Sequence, residues 1–334
     1  MNTSLNQRAR RGNGTENGIV GKSPAILAIL EQLKSIALSD NTVLLIGETG
    51  VGKERFAEYV HQKSVRRYKP LVKISVSTLP RELVESELFG HERGAFTSAS
   101  AEKKGLFEIA NGGSLLLDDI DDLPFEIQPK LLRALESREI HRIGGTRSIP
   151  IDVRFVASSK VNLKELVDQG RYRSDLFYRL SVVPVAIPPL RDRREDIPLL
   201  LDHYLRQFLP DKEIEITRDA LRALINYSWP GNVRELVNLV LRLLVFVNDK
   251  IDVEDLPLEI QGEEPIDMLL TSCTKCFIEE KGSFEEIIGC LEAKLLRHAL
   301  AIHAGNKSRA ARFLGMKLTT FRDKISRHHL TDFR

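Results

Sequence analysis

Over the first half of the chain, short apolar runs alternate with stretches of helical character. Between Gly18 and about Ala186 the runs Val43-Leu-Leu-Ile46, Leu71-Val-Lys-Ile74, Ser114-Leu-Leu-Leu117 and Val153-Arg-Phe-Val156 have the length and composition of strands. Pro24 to Leu38, Lys53 to Lys63 and Pro129 to Ser137 lie between them and read as helices. Strands alternating with helices predict an α/β fold, a parallel sheet covered on both faces. After Pro188-Pro189 the pattern becomes wholly helical: Ile197 to Phe208, Thr217 to Tyr227 and Val233 to Asn248 space their apolar residues at about 3.6 positions. The expected organisation is an α/β unit over residues 18–188, a smaller helical subdomain over 189–257, a linker over 258–288 and a final helical unit over 289–334. The linker holds Gly262-Glu-Glu-Pro265 and Lys281-Gly282 and has room for a short helix. Residues 1–17 are rich in Asn, Arg, Gly, Ser and Thr, have almost nothing to bury, and read as a disordered head. No internal repeat or low-complexity tract interrupts this order.

The composition adds a charge asymmetry. The 334 residues, 42% of them hydrophobic, suit a soluble protein of two or three domains. Their formal net charge of +2 argues at first sight against nucleic-acid binding. Residues 293–334, however, hold ten Lys and Arg against only Asp323 and Asp332, a local charge of about +8 that leaves residues 1–292 at about −6. A basic tail on an acidic body points toward nucleic acid. No stretch approaches the roughly 18 uncharged apolar residues of a membrane span, and no apolar core of a signal peptide follows the Arg-rich start. Three cysteines are too few for a disulfide framework, which fits a reducing cytoplasm and no membrane partner.

Chemistry first appears at Gly47-Glu48-Thr49-Gly50-Val51-Gly52-Lys53-Glu54, between the run Val43 to Ile46 and a helix. Glycines let successive backbone N–H groups turn toward a phosphate, the helix N-terminus adds positive potential, and Lys53 reaches the outer phosphates. The competing interpretation is a glycine-rich turn with a surface lysine. Glu54 stands where such loops usually carry Ser or Thr, so Mg²⁺ must find its ligand elsewhere. Asp118 and Asp119, at the end of the run Ser114 to Leu117, sit at the carboxyl edge of a parallel sheet, where ligands of open α/β folds bind. Asp118 is the candidate Mg²⁺ ligand and Asp119 the group that polarises an attacking water; a solvated acidic turn with Asp121 and Asp122 is the alternative.

The segment Glu85-Ser-Glu-Leu-Phe-Gly-His-Glu-Arg-Gly-Ala-Phe-Thr-Ser-Ala99 resembles the signature of bacterial enhancer-binding proteins, the AAA+ activators of sigma-54 RNA polymerase, whose loop usually reads G-A-F-T-G-A. The resemblance runs from about Ile19 to the C-terminus and includes the Glu after the P-loop lysine. It implies an AAA+ P-loop NTPase with a helical lid, using ATP and Mg²⁺ and assembling into a ring, expected to be a hexamer. Phe96 and Thr97 are then the tip of a loop that contacts the sigma factor, an exposed aromatic that only a partner can bury, unless Phe96 folds back on its own core. Arg173 and Arg179, in Gly170-Arg-Tyr-Arg-Ser-Asp-Leu-Phe-Tyr-Arg-Leu180, match the paired arginines that reach a neighbouring subunit's γ-phosphate, with surface salt bridges as the plainer role. Arg234, in Trp229-Pro-Gly-Asn-Val-Arg-Glu-Leu236, matches a lid residue that reads the nucleotide of its own subunit, or else is simply solvated.

Four positions depart from the family pattern. Asp119 stands for a glutamate one methylene longer, Lys160 for an asparagine of the first sensor, Ser75 for an asparagine that restrains the catalytic carboxylate, and Ser98 for the second glycine of the loop. A misplacement of catalytic groups by about 1 Å costs roughly 100-fold in rate, so slow or partner-dependent hydrolysis is the expectation. In that case the chain is a DNA-binding regulator, a repressor or the partner subunit of a mixed ring, in which nucleotide governs assembly.

In the basic tail, Asn306 starts a helix with apolar Ala310, Phe313 and Leu314, Gly315 turns the chain, and a second helix follows. Ala310, Leu314, Phe321 and Ile325 can pack together, leaving Lys317, Thr319, Thr320 and Arg322 outward as a recognition helix for double-stranded DNA requires, with Arg309, Arg312 and Lys324 toward phosphates. The unit resembles the Fis-like helix-turn-helix that ends this family, and Ile287 to Ala301 reads as a dimerising helix. Cys273, Cys276, Cys290 and His298 form either a Cys3His zinc site or, lacking a second closely spaced pair, ordinary thiols. Seventeen residues before Gly18 are too few for a receiver domain, so control is expected from a separate regulatory protein, from a homologous partner subunit or from expression level.

Overall fold

The computed structural model describes residues 15–16, 18–96, 99, 101–210, 212, 214–246, 249–261, 288–289, 292–293, 295–297, 299–300, 303 and 305–328. Contacts divide the chain between Leu256 and Pro257 into two compact units.

The first unit is built on five strands: β1 (Val43–Ile46), β2 (Leu71–Ser75), β3 (Ser114–Asp118), β4 (Arg154–Ser159) and β5 (Val183–Ala186). They pair in parallel in the order β5-β1-β4-β3-β2, with Val156 opposite both Val43 and Leu116. Side chains alternate between faces, so neighbours in one apolar run enter different cores. Val43, Leu45, Leu116 and Val156 pack with α1 (Pro24–Ala37) and α2 (Lys53–Gln62). Leu44, Leu115, Leu117 and Phe155 pack on the other face with α3 (Arg81–Phe89), α4 (Gln128–Ser137) and α5 (Ser174–Leu180). A sheet covered on both faces needs runs that are apolar at every position, which is what β1 and β3 supply.

Polar side chains fix the ends of α1. Ser23 caps its first turn, accepting from Ile26 N at 3.5 Å, and Pro24 stands at its start. At its other end the fully buried Arg154 donates to Ala37 O at 2.7 Å and Ile36 O at 2.9 Å, supplying carbonyls that have no partner in the helix.

The helical subdomain consists of α6 (Ile197–Phe208), α7 (Arg218–Asn226) and α8 (Asn232–Phe246). Between α7 and α8 the fully buried Trp229 donates from Nε1 to Leu224 O at 2.8 Å. Just before α6, the fully buried Asp196 accepts from Lys22 N (2.6 Å), Ser23 N (2.8 Å) and Ser23 Oγ (2.7 Å). Three donors compensate the desolvation of that carboxylate and bind the approach to α1 to the helical subdomain.

In the second unit α9 (Lys307–Phe313) and α10 (Leu318–Arg327) pack through Ala310, Ala311, Phe321 and Ile325 against Leu296, Ala299 and Leu300, with Leu314, Met316 and Leu318 at the margin. Asn306 caps α9, accepting from Arg309 N at 3.1 Å, and Gly315 makes the turn at φ +65°. Phe313 is 57% exposed and lies edge-on to His303.

Other differences from the sequence expectation are local. The fifth strand, and helices α3 and α5, are additional to the elements read from pattern. Thr15–Glu16, inside the segment expected to be a disordered head, pairs antiparallel with Ile19–Val20. Most of the expected linker, with Cys273, Cys276, Cys290 and His298, lies outside the described residues.

Candidate functional site

The C-terminal edges of β1, β3 and β4 meet the N-terminus of α2 beneath α8. Together they line a cavity of about 560 Å³ that includes Thr49, Gly50, Gly52, Lys53, Glu54, Asp118, Asp119, Lys160 and Arg234. Gly47 and Val51 complete the loop at its base.

The loop's shape depends on glycine at one place above all. Gly50 has φ +83°, and a Cβ there would stand 2.3 Å from Gly231 O. The next turn is closed by Val233 N and Arg234 N, which donate to Gly50 O at 3.0 and 3.3 Å. Lys53, 7% exposed, donates to Gly47 O at 2.8 Å and Glu48 O at 3.2 Å. Burial pulls its ammonium below the usual range, opposed by the carboxylates of Asp118, Asp119 and Asp121. Glu54 points out of the loop to Lys73 at 2.9 Å, and the same ammonium binds Glu58.

Asp118 and Asp119 hold different environments. Ser158 Oγ donates to Asp118 Oδ1, and Asp119 N donates to Ser158 Oγ at 3.4 Å. Asp119 has φ +53°, a left-handed geometry that Asp tolerates better than most residues. Its Oδ2 accepts from Ser77 Oγ at 2.6 Å and from Ser75 Oγ at 3.4 Å. Ser75, which stands where the family has a restraining asparagine, thus makes only the longer contact, and Ser77 makes the shorter one. Lys160 is turned to Asp122, which raises its pKa, and lies 3.4 Å from Asp121 Oδ2.

Among the described residues no group of three or more His, Cys, Asp and Glu forms a metal cage. One or two carboxylates beside a phosphate loop are nevertheless the donor set that Mg²⁺ uses when substrate phosphates and waters complete its shell, and Asp118 fits that part.

Several side chains hold this site through contacts that no motif announces. Glu48 is gripped by Arg191 at 2.6 and 2.9 Å and accepts from Asn232 Nδ2 at 3.2 Å, contacts that lower its pKa to about 2. Asn232, fully buried, also donates to Thr49 O at 3.1 Å and accepts from Leu190 N at 2.8 Å. Arg193 donates to Val51 O at 2.9 Å. The helical subdomain thus clasps the loop from Glu48 to Val51.

The two candidate trans-acting arginines are not brought to this cavity within the chain. Arg173 forks onto Asp175 at 3.1 and 2.8 Å, and Arg179 donates to Leu135 O at 3.1 Å. In the Phe96 loop, Gly94 N donates to Ala99 O and Ala99 N to Phe96 O, while Thr97 and Ser98 lie outside the described residues. Phe96 is half-buried, edge-on to His91 at 4.9 Å, rather than fully exposed as expected. Arg142 ties both stems of the loop, binding Glu108 at 2.9 Å, Glu92 at 3.2 Å and Glu102 at 3.6 Å.

In the second unit Lys317, just before α10, and Thr319, Thr320 and Arg322 on it are exposed, as are Arg309 and Arg312 on α9. Lys324 is drawn to Glu292, which also meets His328 Nε2 at 2.9 Å, so its ammonium is engaged within the unit.

A five-stranded parallel sheet, a glycine loop leading into a helix, acidic residues at the adjacent strand end and a helical subdomain over the loop define a P-loop AAA+ domain with its lid. Residues 19–186 match the profile of the sigma-54 interaction domain, 191–271 that of the AAA+ ATPase lid domain and 289–328 that of the bacterial regulatory proteins of the Fis family. The chain belongs to the sigma-54-dependent AAA+ transcriptional activator family, with a Fis-type helix-turn-helix. It is 44% identical over 317 residues to the DNA-binding transcriptional activator HyfR of Escherichia coli (strain K12), covering 92% of this chain and 47% of HyfR. With the transcriptional regulatory protein ZraR of Salmonella typhimurium it shares 41% over 314 residues, 93% of this chain and 68% of ZraR. It therefore spans just under half the length of one curated relative and about two thirds of the other. Among solved structures, NtrX from Brucella abortus in complex with ATP matches with a TM-score of 0.69 and 32% identity, covering 97% of this chain and 72% of that one. No helix among the described residues is long and apolar enough to cross a membrane.

Proposed function

We propose that this chain binds enhancer-like DNA through α10, assembles into a ring, and couples ATP hydrolysis to remodelling of sigma-54 RNA polymerase for open-complex formation. The observation that carries the reading is the single cavity in which Lys53, Asp118, Asp119 and Arg234 converge. In it, Lys53 and the loop N–H groups bind phosphates, and Asp118 holds Mg²⁺. The ion, when bound, neutralises charge on the phosphates. Asp119 orients water toward the terminal phosphate, and Arg234 reads the nucleotide from the lid. Arg173 and Arg179, outside this cavity, act on the nucleotide of the neighbouring subunit; the exposure of Arg179 on α5 and the partly exposed place of Arg173 at its N-terminus support that role. Phe96 and Thr97 contact the sigma factor, and the α9 arginines meet DNA phosphates. An ordered hexamer and a dimer of helix-turn-helix units complete the assembly.

The hydrogen bond from Ser77 to Asp119 favours a second reading, in which turnover is slow and nucleotide mainly governs assembly. ATP turnover and open-complex formation with sigma-54 polymerase, measured for wild type, Lys53→Ala and Thr97→Ala, separate the two. The main reading predicts turnover lost in Lys53→Ala, and remodelling lost with turnover intact in Thr97→Ala. Wild-type turnover no greater than that of Lys53→Ala, alone and with any co-encoded homologue, excludes it.

A further inference from the structure

A second cavity, of about 270 Å³, lies apart from the nucleotide site and shares no residue with its walls. Phe89 at the end of α3, Lys130 and Arg133 on α4, and the segment 139–145 line it. That segment opens a hairpin in which Glu139–Ile140 pairs antiparallel with Ile149–Pro150. Phe89 and Ile140, each 2% exposed, give the cavity an apolar wall. Its volume is just below the roughly 300–1,000 Å³ of pockets for drug-sized ligands, so a small molecule fits it better than a nucleotide does.

The charges around it are unequal. Lys130, Arg133 and Arg142 face the cavity against the single carboxylate of Glu139. Two of these cations are committed elsewhere: Lys130 binds Glu85, and Arg142 binds Glu108, Glu92 and Glu102. Glu139 accepts from Ser148 Oγ at 2.5 Å. Arg133 is exposed, and among the described residues its guanidinium has no hydrogen-bond or ion-pair partner, although it shares the cavity with Glu139. His141 is half-buried there, and its ring nitrogens are likewise without partners among the described residues. A forked cation and an imidazole beside an apolar wall are the donor set for an oxyanion that carries an apolar group.

The hairpin connects this cavity to the Phe96 loop. Ile143 N donates to Gly90 O at 2.9 Å and Glu92 N to Ile143 O at 3.0 Å, so the chain just after His141 is bonded to the stem of that loop. A ligand that joins Arg133 of α4 to His141 therefore restrains the base of the loop.

We propose that this cavity binds a small organic oxyanion, a carboxylate or a phosphate monoester with an apolar group, anchored by Arg133 and His141, and that its occupancy stiffens the hairpin leading to the Phe96 loop.

The test is isothermal titration calorimetry of the full chain with benzoate, phenyl phosphate and neutral benzamide, each with and without Mg²⁺ and a saturating β,γ-imido analogue of ATP. Benzoate or phenyl phosphate is expected to bind at about 1 mM, the affinity of so small a ligand, and the tighter of the two identifies the acid group. Benzamide, similar in shape but uncharged, should bind at least about tenfold more weakly. Arg133→Ala should weaken the anion about tenfold, the scale of one hydrogen bond from a charged group, whereas Arg133→Lys keeps part of the affinity. Arg133→Gln gives the same measurement if the alanine variant does not fold. His141→Ala should cost about threefold. The ATP analogue should leave anion binding unchanged, because the two cavities share no wall. In hydrogen exchange on the same samples, the bound anion should slow the Ile143 and Glu92 N–H groups. No anion binding, equal binding of benzamide, indifference to Arg133→Ala, displacement by the ATP analogue, or unchanged exchange at Ile143 and Glu92 overturns the proposal.

Discussion

Replacing Asn232 by alanine tests how firmly the lid holds the nucleotide loop. The side chain makes three hydrogen bonds, to Leu190 N, Thr49 O and Glu48 Oε2. Alanine leaves the buried Leu190 N–H without a partner, a loss of about 1–3 kcal/mol. Asn232 also has φ +54°, where alanine costs about 1 kcal/mol more than asparagine. Together these give roughly 3 kcal/mol, which in a unit of about 250 residues lowers Tm by about 6–12 °C. Asn232→Gly removes the same hydrogen bonds without the Cβ penalty and is expected to melt between alanine and wild type. Scanning calorimetry on the full chain, with and without nucleotide, measures both effects. Nucleotide affinity should fall in parallel, because Thr49 and Glu48 lose their anchor. A Tm drop below about 2 °C, or alanine and glycine variants that melt together, would refute the clasp as a source of stability.

Other perturbations address other links. Glu48 has its folded pKa lowered to about 2 by Arg191 and Asn232, so its contribution is complete above its unfolded value of about 4.3 and disappears as pH falls toward 2. Both partners of the Arg191 pair are 41% exposed, which screens the effect to about 1 kcal/mol. Urea midpoints should therefore show Glu48→Gln less stable than wild type at pH 6 and closer to it at pH 3; a constant gap would contradict the linkage. In DNA binding followed by anisotropy, Arg309→Ala and Arg312→Ala should each reduce the log-affinity against log-salt slope by about 0.9, whereas Arg322→Ala should flatten sequence preference. Unchanged slopes would remove those arginines from the phosphate contacts. Phe321→Ala, at a fully buried position, should cost about 3–5 kcal/mol and abolish DNA binding while nucleotide binding persists, since the first unit has its own cores.

What the sequence disclosed is what local pattern encodes. The loop from Gly47 to Lys53 was legible because its glycines, the preceding apolar run and the following helix are contiguous. Helix α6 runs over the span its periodicity predicts, and α2 ends one residue earlier than expected. Strand β5 escaped because Pro184 within Val183–Ala186 argues against a strand, yet β5 lies at the sheet edge, where proline is tolerated. Asn232, Arg191 and Arg193 escaped for another reason: their partners are backbone and side-chain groups of the P-loop more than 140 positions earlier, and no local spacing reports such a contact. Ser77 escaped because only the turn after β2 decides which hydroxyl comes nearest Asp119. The pair of Arg173 with Asp175 is the plainer role, a surface salt bridge, that its sequence allowed.

Asp196 has a consequence for the order in which the molecule is made. Its partners Lys22 and Ser23 emerge from the ribosome 173 or more residues earlier, and Asn232 follows its partner Glu48 by 184. Contacts so distant in sequence close late, after the intervening chain has been synthesised and the loop-closure entropy has been met. The phosphate loop, encoded near the beginning of its unit, is thus among the last parts to be fixed. During synthesis, a nascent chain that has not yet released its lid lacks the clasp around Glu48 and Thr49, so competence to bind nucleotide tightly arrives with the completion of the unit.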